Sequence, residues 1–471
     1  MPRMNPLPFV ALAGLGTSAI LLGQFSATAG SRSGDDGGTA AIGADVIVGA
    51  ITPPVKYGSA SVNGVTMMAY AIGTVSCNIG DAQLQWYASP DTRHPFIPMN
   101  AYRYFGGRFE QIGMSWGKHG FCALQQSLCG TCQPVPGGCP SLLGVGCSDP
   151  YDASLNGDQG GLGPRHEVNA ATGAFPGTYG SGMPNASPTV GRRLQIASGD
   201  LNPATSGGAI YYFEAQYVHP QDAAAGNKHN NASHVRFNVG ALTSGAYTLT
   251  LNGSTVLQKP AIESWRAWDA NVQSRNVDVP NDGRFIVAES VRSIGAAGWR
   301  YEYAIFNLNS DRSARSFSVP VGVGANVANI GFKDIDYHSG EPFSPTDWTG
   351  TFANGTVTWT GGDYAANPNS NALRFATLYN FWFDSDQPPA SATGTLGLFK
   401  PGPAGAPTEM TMATRGPAAA GNPSDLNGDG FVGADDLSML LGNWGNPGVG
   451  DLNGDGIVGA GDLSTMLSSW N

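Results

Sequence analysis

Two acidic segments near the C-terminal end of the chain repeat one pattern at a spacing of 26 residues. Residues 425–436 read DLNGDGFVGADD and residues 451–462 read DLNGDGIVGAGD. Each offers oxygen-bearing side chains at positions 1, 3, 5 and 12 and a backbone carbonyl at position 7, and calcium takes about six to eight hard oxygens in this arrangement. We therefore expect two calcium ions, with these ligands: Asp425, Asn427, Asp429, the carbonyl of Phe431, Asp436, Asp451, Asn453, Asp455, the carbonyl of Ile457 and Asp462.

The other positions of these EF-hand-type loops fit the same chemistry. Gly430 and Gly456 stand at position 6, where the chain must turn sharply and glycine does so without strain. Glycine also stands at position 9, so a water molecule is the expected ligand there. A helix is predicted after each loop, with one apolar stripe made of these residues: Leu437, Leu440, Leu441 and Trp444 in the first, and Leu463, Met466, Leu467 and Trp470 in the second.

The charge of residues 425–471 predicts that this module depends on its cations. The segment contains seven Asp and no Lys or Arg, so it supplies most of the net charge of -11. Carboxylates held together in one loop repel each other until a cation neutralises them. We therefore expect the segment to be loose without calcium and folded with it.

The paired repeats resemble the type I dockerin, a small module at the ends of secreted bacterial polysaccharide-degrading enzymes and related extracellular proteins. This resemblance covers residues 425–471 and implies calcium binding by the residues named above and docking to a cohesin-like or cell-surface protein. Dockerins commonly read their partner through hydroxyl residues at loop positions 10 and 11, where this chain has Ala434-Asp435 and Ala460-Gly461. The remaining body resembles uncharacterised secreted bacterial β proteins that end in such repeats, and this likeness implies no activity.

Several segments of the body contain residue types used in catalysis. Residues 113–117 read GMSWG, the G-x-S-x-G pattern that places a nucleophile such as Ser115 on a sharp turn in α/β-hydrolases. That turn belongs to a parallel sheet in which strands and helices alternate along the chain, and this chain lacks such an alternation of strands and helices.

An acidic segment gives a second candidate. If residues 334–338 are extended, Asp334, Asp336 and His338 lie on one face of the strand, and Glu341 follows just beyond. Such a face could bind a metal ion or hold a carboxylate pair for glycoside hydrolysis, but a solvated outer sheet face has the same pattern and is the favoured interpretation.

Histidines and aromatic residues give further candidates. His219, His229 and His234 are close in sequence, but their spacing fits no metal geometry, so loop histidines are favoured. Three basic pairs near the cysteines could converge as an acid/base or anion site: Arg93-His94, Lys118-His119 and Arg165-His166, the last followed by Glu167. Two aromatic runs could present platforms for sugar rings, although alternation buries half of each: residues 211–213 and 379–383. No catalytic residue is predicted.

The N-terminal segment has the features of an export signal. Arg3 precedes an apolar stretch over residues 9–22, and small residues at 26–29 fit a cleavage site. We therefore predict a signal peptide over residues 1–29. The mature protein is then secreted, extracellular or cell-surface associated and has no membrane span; an uncleaved anchor is the alternative.

All six cysteines lie beyond residue 29. An even number of cysteines in an exported chain favours disulfides over a zinc or redox site at Cys129 and Cys132.

Composition and strand patterns predict a mainly β protein. Gly and Pro, at 67 and 32 of 471 residues, indicate many turns, and residues 299–305 alternate between an apolar face and a face with Arg300 and Glu302. We predict a β-sandwich body with an irregular disulfide-tied β region and a small α-helical module. The predicted segments after the signal peptide are a leader at 30–44, a cysteine-containing β region at 45–204, a β-sandwich at 205–400, a Pro/Ala/Gly linker at 401–424 and the calcium module at 425–471.

Charge excludes one class of function and leaves two open. There are 24 Lys and Arg against 35 Asp and Glu and no basic run, so we expect no nucleic-acid partner. The favoured expectation is a secreted calcium-binding protein whose body binds an extracellular polymer, such as a polysaccharide, or a cell-surface component. The alternative is a secreted polysaccharide-degrading hydrolase of the glycosidase type that carries a dockerin.

Overall fold

The computed structural model describes residues 42–177, 179, 187–427 and 431–470. Its strands in the first part of the chain are β1 Val46–Val62, β2 Val65–Asn78, β3 Leu84–Gln85, β4 Ile97–Phe105, β5 Arg108–Lys118, β6 Leu142–Leu143, β7 Ser148–Tyr151, β8 Leu162–Gly163, β9 Leu194–Ala197, β10 Ile210–Gln216, β11 Ala232–Thr243 and β12 Ala246–Val256. Those in the second part are β13 Gln273–Asp278, β14 Arg284–Ser293, β15 Trp299–Asn307, β16 Ala314–Pro320, β17 Val327–Lys333, β18 Thr349–Ala353, β19 Thr356–Thr360, β20 Leu378–Ser385, β21 Pro389–Leu398 and β22 Glu409–Pro417.

Helices are short in the described residues. The α-helices are α1 Ala153–Asn156, α2 Ser198–Leu201, α3 Pro220–Ala225, α4 Ala434–Gly442 and α5 Ala460–Ser468. Four segments form 3₁₀-helices: Gln159–Gly161, Arg165–Glu167, Ala261–Ala267 and Gly295–Ala297. With 43% strand and 11% helix, the chain is mainly β, as the sequence predicts.

The first part of the chain forms one ten-stranded sheet. Its antiparallel pairing follows the order β1-β2-β9-β5-β4-β10-β11-β12, with β7 beside β2 and β8 beside β5. The sheet curls until its ends meet: the Ile51 N–H donates to Thr255 Oγ1 at 2.9 Å, and Lys56 Nζ donates to the Thr243 carbonyl at 2.9 Å. This near-barrel encloses a core of buried apolar side chains that includes Trp86, a fully buried residue.

The second part of the chain is a β-sandwich. One sheet has the order β13-β14-β15-β20-β17 and the other β18-β19-β16-β21-β22. Aromatic rings fill the space between the two sheets, with Phe317 stacked on Trp359 at a centroid distance of 5.7 Å and Tyr301 stacked on Phe383 at 4.8 Å. Burial of such large rings is the main stabilising contribution in a sandwich core.

The near-barrel packs against the outer face of one sandwich sheet, which alters one prediction. Residues of both parts form a shared core, among them Tyr102, Phe109 and Phe306. Consequently β15 is buried on both faces, whereas the alternation in residues 299–305 is typical of a half-buried strand. The side chain of Glu302 is 2% exposed and pairs with Arg108 at 3.0 Å.

Two predicted boundaries need correction. Strand β10 pairs with β4 and with β11, so the boundary at residue 204 falls inside one sheet, and the sandwich strands begin at Gln273. Within the predicted linker 401–424, residues 409–417 form β22, which pairs with β21 along its full length. Strand pairing between distant segments decides both points, and local composition does not reveal it.

The six cysteines form three disulfides and none is free. The pairs are Cys77–Cys129, Cys122–Cys139 and Cys132–Cys147. The prediction of disulfides is confirmed, and Cys129 and Cys132 bond to different partners, which excludes a shared zinc or redox site in this state. The bridges attach residues 122–147 to strand β2 and to one another.

Some predicted features lie outside the described residues. The signal peptide 1–29, most of the leader 30–44, Asp429 and Gly430 belong to this group. Among the residues that the structure describes, every helix is too short or too polar to cross a bilayer.

Candidate functional site

The second loop of the repeat, residues 451–462, forms hydrogen bonds to its own acidic side chains. Both carboxylate oxygens of Asp451 accept loop N–H groups at 2.9 Å, one from Gly454 and the other from Gly456. Asp455 accepts the N–H of Ile457 at 3.0 Å and also the side-chain amide of Asn453 at 3.0 Å. The side chains at positions 1, 3 and 5 thus all take part in hydrogen bonds within one loop.

The two loops are held by the same contacts at position 12. Asp462 accepts the N–H of Asn453 at 3.0 Å and that of Gly459 at 2.7 Å. In the first loop Asp436 accepts the equivalent N–H groups, from Asn427 at 3.0 Å and from Gly433 at 2.8 Å. The equivalent contacts show that the sequence repeat is also a structural repeat.

These contacts favour ionised carboxylates. The N–H groups of Gly433 and Asn427 lower the pKa of Asp436 below its ordinary value. Desolvation raises the pKa of Asp462, but backbone N–H donors outweigh it, and the resulting pKa is again lowered. Calcium binds carboxylates only in the ionised form, so both side chains are in the state that the ion needs.

The turn and the donor set fit calcium. Gly456 has φ +95° and Gly454 φ +74°, a left-handed backbone that glycine adopts without strain. All donors in both loops are hard oxygens. Within the described ranges, which omit Asp429, no three His, Cys, Asp or Glu side chains already lie close enough together to hold a metal ion.

The helices after the loops share a small core. Leu440 and Met466 are buried with Val432 and Val458, and the leucines at 437 and 463 pack against them. The outer part of the predicted stripe is about half exposed and does not join this core: Leu441 50%, Trp444 44%, Leu467 53% and Trp470 44%. Because α4 and α5 have only nine residues each, a narrow part of the stripe suffices for their contact.

A polar cleft of the body lies beside strands β5 and β9, under the segment that follows β17. It has a volume of about 570 Å³. Its polar lining includes Asp200, Lys333, Asp334, Asp336 and Glu341. Burial raises the pKa of Asp334 to about 6, and burial also raises the pKa of Asp200.

The residues predicted to share one face after β17 do not do so. The chain leaves the strand at Lys333 and is irregular beyond it, so the alternation of side chains ends there. His338 is buried and lies with Nε2 2.8 Å from the Arg193 carbonyl. Asp334 instead accepts the side-chain amide of Asn371 at 2.5 Å, while Glu341 turns towards residues 165 and 166.

Glu341 and His166, two candidates from separate parts of the sequence, form a hydrogen-bonded pair. His166 Nδ1 lies 2.6 Å from Glu341 Oε2, and Glu341 Oε1 accepts the backbone N–H of Arg165 at 2.7 Å. The histidine side chain is 25% exposed and the carboxylate 1%. Burial alone lowers the pKa of His166, but the hydrogen bond and charge of Glu341 outweigh it and raise the pKa above the ordinary value of 6.5.

We expect Glu341→Gln to lower the pKa of His166 below 6.5, because desolvation then acts without the carboxylate. In the wild type this pair stabilises the fold below pH 6.5, and its contribution is lost as the pH rises through the raised pKa. An NMR titration of the His166 ring measures the shift. Glu167→Gln, which removes a carboxylate with a smaller effect on His166, is the control; an unchanged His166 pKa in Glu341→Gln would contradict the assignment.

Arg165 joins the near-barrel to the sandwich at the same place. Its guanidinium donates to the carbonyls of Ser115 at 2.6 Å, Met99 at 2.9 Å and Ala376 at 3.0 Å. The residue is 5% exposed, and burial lowers its pKa to about 10 despite the nearby carboxylates of Glu341 and Glu214. Nothing in the local sequence marks Arg165 as the centre of such a network.

Ser115 is not a hydrolase nucleophile. It lies inside strand β5 and not at a turn, and its side chain is fully buried. The hydroxyl accepts the Met99 N–H at 3.0 Å and donates to the Trp116 carbonyl at 2.5 Å. The first contact links β5 to β4, and the second lies within β5.

The remaining histidines have separate structural partners. His219 Nδ1 accepts the Gln221 N–H at 3.0 Å and so caps α3. His229 Nδ1 lies 3.3 Å from the side-chain nitrogen of Asn309. His234 Nδ1 lies 2.7 Å from the Lys259 carbonyl. His219 and His229 are cap and loop residues, in line with the favoured interpretation, whereas His234 lies in strand β11.

The three basic pairs near the cysteines do not form one site. His94 and His119 meet, with Nε2 and Nδ1 3.2 Å apart, and burial lowers their pKa values to about 4 and about 2. Arg93 pairs instead with Asp91 at the surface, and His166 lines a different cavity from His119.

The aromatic runs belong to the core. All three rings of residues 211–213 are buried, and in residues 379–383 only Trp382 is partly exposed, beneath the guanidinium of Arg108. Neither run presents an open platform for a sugar ring.

Comparisons with known proteins leave the function open. No protein-family model matches the chain, and no curated protein matches it. Among solved structures, the N-terminal domain of the Streptococcus gordonii adhesin Sgo0707 is similar at 8% identity, covering 80% of this chain and 82% of that one, with a TM-score of 0.17.

Proposed function

We propose that this chain is a secreted calcium-binding protein whose C-terminal dockerin-like module attaches it to a cohesin-like or cell-surface protein. In this proposal the β body binds an extracellular polysaccharide. The observation that carries it is the structural repeat in the module: two loops with calcium-ligand spacing, equivalent contacts at Asp436 and Asp462, and one common core.

The module residues have defined roles in this proposal. The side chains at loop positions 1, 3, 5 and 12 and the carbonyls of Phe431 and Ile457 would hold one calcium ion in each loop. The ion would supply positive charge that offsets the repulsion among the carboxylates. The loops would then hold α4 and α5 in the paired arrangement that buries Leu440 and Met466.

The cleft supports the proposed role of the body. A volume of about 570 Å³ lies within the range of ligand pockets, about 300–1,000 Å³. Its lining combines acidic residues and a lysine with apolar residues such as Met67 and Phe343, which suits the mixed polar and apolar faces of sugars. The three disulfides are compatible with an extracellular location.

Polysaccharide binding is tested by incubating the full chain with a panel of soluble and insoluble polysaccharides. We expect depletion of the protein from solution without release of reducing ends. Asp336→Asn, at an exposed position of the cleft, should weaken retention, whereas Asp435→Asn, outside the cleft, should not. No depletion by any polysaccharide would contradict this role of the body.

A polysaccharide hydrolase is the alternative, and one observation favours it. Asp200 and Asp334 line the same cleft and both have raised pKa values, as a general acid does in a glycosidase. Release of reducing ends by the wild type, lost in Asp334→Asn and retained in Asp435→Asn, would establish this alternative. Depletion without release would favour the binding role.

A further inference from the structure

We propose that the small cavity behind the Glu341–His166 pair binds a single carboxylate on an otherwise neutral sugar ligand, through Arg374, Lys400 and His166. This inference rests on the proposed polysaccharide-binding role of the body and specifies its ligand as a glycan that carries isolated uronic acid residues. The cavity shares Met114, Tyr337, Glu341 and Phe343 with the large cleft, so a sugar in the cleft lies beside it.

Arg374 is the central residue of this cavity because its guanidinium is buried and has no acidic partner among the described residues. The residue is 8% exposed, and within the described residues no carboxylate lies within ion-pair distance of its guanidinium. Its Nη2 donates to the carbonyls of Pro368 at 2.8 Å and Ser370 at 2.9 Å, but its buried Nε has no hydrogen-bond partner. A buried charge with an unsatisfied N–H is costly, and an anion in the adjoining cavity would offset that cost.

The charges around the cavity also favour an anion. With His166 protonated, four basic groups line it against two acidic ones: Arg165, His166, Arg374 and Lys400 against Asp311 and Glu341. Lys400 pairs with Asp311 at 2.8 Å, and His166 pairs with Glu341. In the described part of the chain, these pairs leave the guanidinium of Arg374 without a carboxylate at ion-pair distance.

The size of the cavity selects the kind of anion. Its volume is about 40 Å³. A cavity needs about 10–15 Å³ on this measure to hold one water molecule, so this one has room for a small group such as a planar carboxylate. The apolar wall formed by Phe343, which lies 3.7 Å beneath the Arg374 guanidinium, fixes the plane of that cation. A planar guanidinium in a fixed orientation is well matched to a carboxylate.

Two residues at the cavity have an unusual backbone. Ser313 lines it with φ +57°, and Ala376, between the lining residues Phe375 and Thr377, has φ +55°. Residues other than glycine seldom adopt this left-handed conformation, and such strain concentrates at ligand sites.

The neighbouring cleft restricts the ligand to one acidic group. Asp200, Asp334 and Asp336 line that cleft, against one lysine, Lys333. A polymer with a carboxylate on every sugar would meet repulsion there, whereas neutral sugars would not. We therefore infer a glycan in which uronic acid residues are separated by neutral ones.

The test uses the full chain and three sugars of the same ring: methyl β-glucuronide, methyl β-glucoside and the 6-sulfate of methyl β-glucoside. Calorimetric titration should show the glucuronide bound at least about tenfold more tightly than the other two, because only it places a carboxylate in the cavity. Equal affinity for glucuronide and glucoside, tighter binding of the sulfate, or no binding of the glucuronide would overturn the proposal.

Variants locate the site. Lys400→Gln and His166→Gln should each weaken glucuronide binding about tenfold, and Arg374→Gln should abolish it if that variant folds. Lys259→Gln removes one positive charge at an exposed position elsewhere and should leave binding unchanged. Unchanged binding in both Lys400→Gln and His166→Gln would overturn the assignment of the cavity.

The outcomes separate this inference from the proposed function. If polysaccharides deplete the protein but the glucuronide does not bind, the role of the body stands and the carboxylate site fails. If the glucuronide binds with the expected variant effects but no polysaccharide retains the protein, the carboxylate site stands and the polymer-binding role fails.

Discussion

Replacing Arg165 with methionine is expected to destabilise the body by about 3–5 kcal/mol. Methionine retains much of the length of the side chain but donates no hydrogen bonds. The substitution removes the donor to the carbonyls of Met99, Ser115 and Ala376 and takes away a positive charge near the buried carboxylates of Glu214 and Glu341. Urea unfolding followed by circular dichroism measures the loss.

Arg266→Met is the matched control for this prediction. Arg266 is exposed, so the same change of side chain there should alter the free energy of unfolding by less than about 0.5 kcal/mol. A loss below about 1 kcal/mol in Arg165→Met would mean that the network does not join the near-barrel to the sandwich.

Calcium is expected to stabilise the C-terminal module strongly. At a free concentration about a hundredfold above the dissociation constant, a bound ion adds about 2.7 kcal/mol to the free energy of unfolding. Removal of calcium should therefore reduce the helicity of the isolated segment 421–471, in which α4 and α5 share their own core. Far-ultraviolet circular dichroism with calcium and with a chelator measures this change.

Asp425→Ala combined with Asp451→Ala should abolish the calcium response, since both remove the ligand at loop position 1. Asp435→Ala removes an equal charge at an exposed residue that is not among the expected ligands, and it should leave the response intact. A spectrum of the wild-type segment that does not change on adding calcium would contradict the module assignment.

The module shows how much a sequence reveals when its contacts are local. The repeat at 26 residues placed the loops and the helices after them, and the structure has α4 and α5 at the predicted places. The repeat did not reveal how much of the apolar stripe on each helix the other helix buries. The exposure of Leu441 and Trp444 depends on how far the two helices overlap.

The body shows the opposite case. His166 and Glu341 were each singled out, but they lie 175 residues apart in the chain, and no local pattern indicates that they meet. The Arg165 network likewise depends on Ala376, 211 residues away.

The linker prediction failed for a different reason. Strand β22 has buried Met412 and Thr414 at a spacing of two, but the surrounding Pro, Ala and Gly residues make this alternation hard to recognise in the sequence.

Equilibrium dialysis of the full chain against calcium tests whether the repeated loops bind two calcium ions. We expect two ions bound per wild-type chain, and none in the variant that combines Asp425→Ala and Asp451→Ala. Absence of bound calcium at about millimolar free concentration, the weak end for extracellular calcium modules, would contradict it.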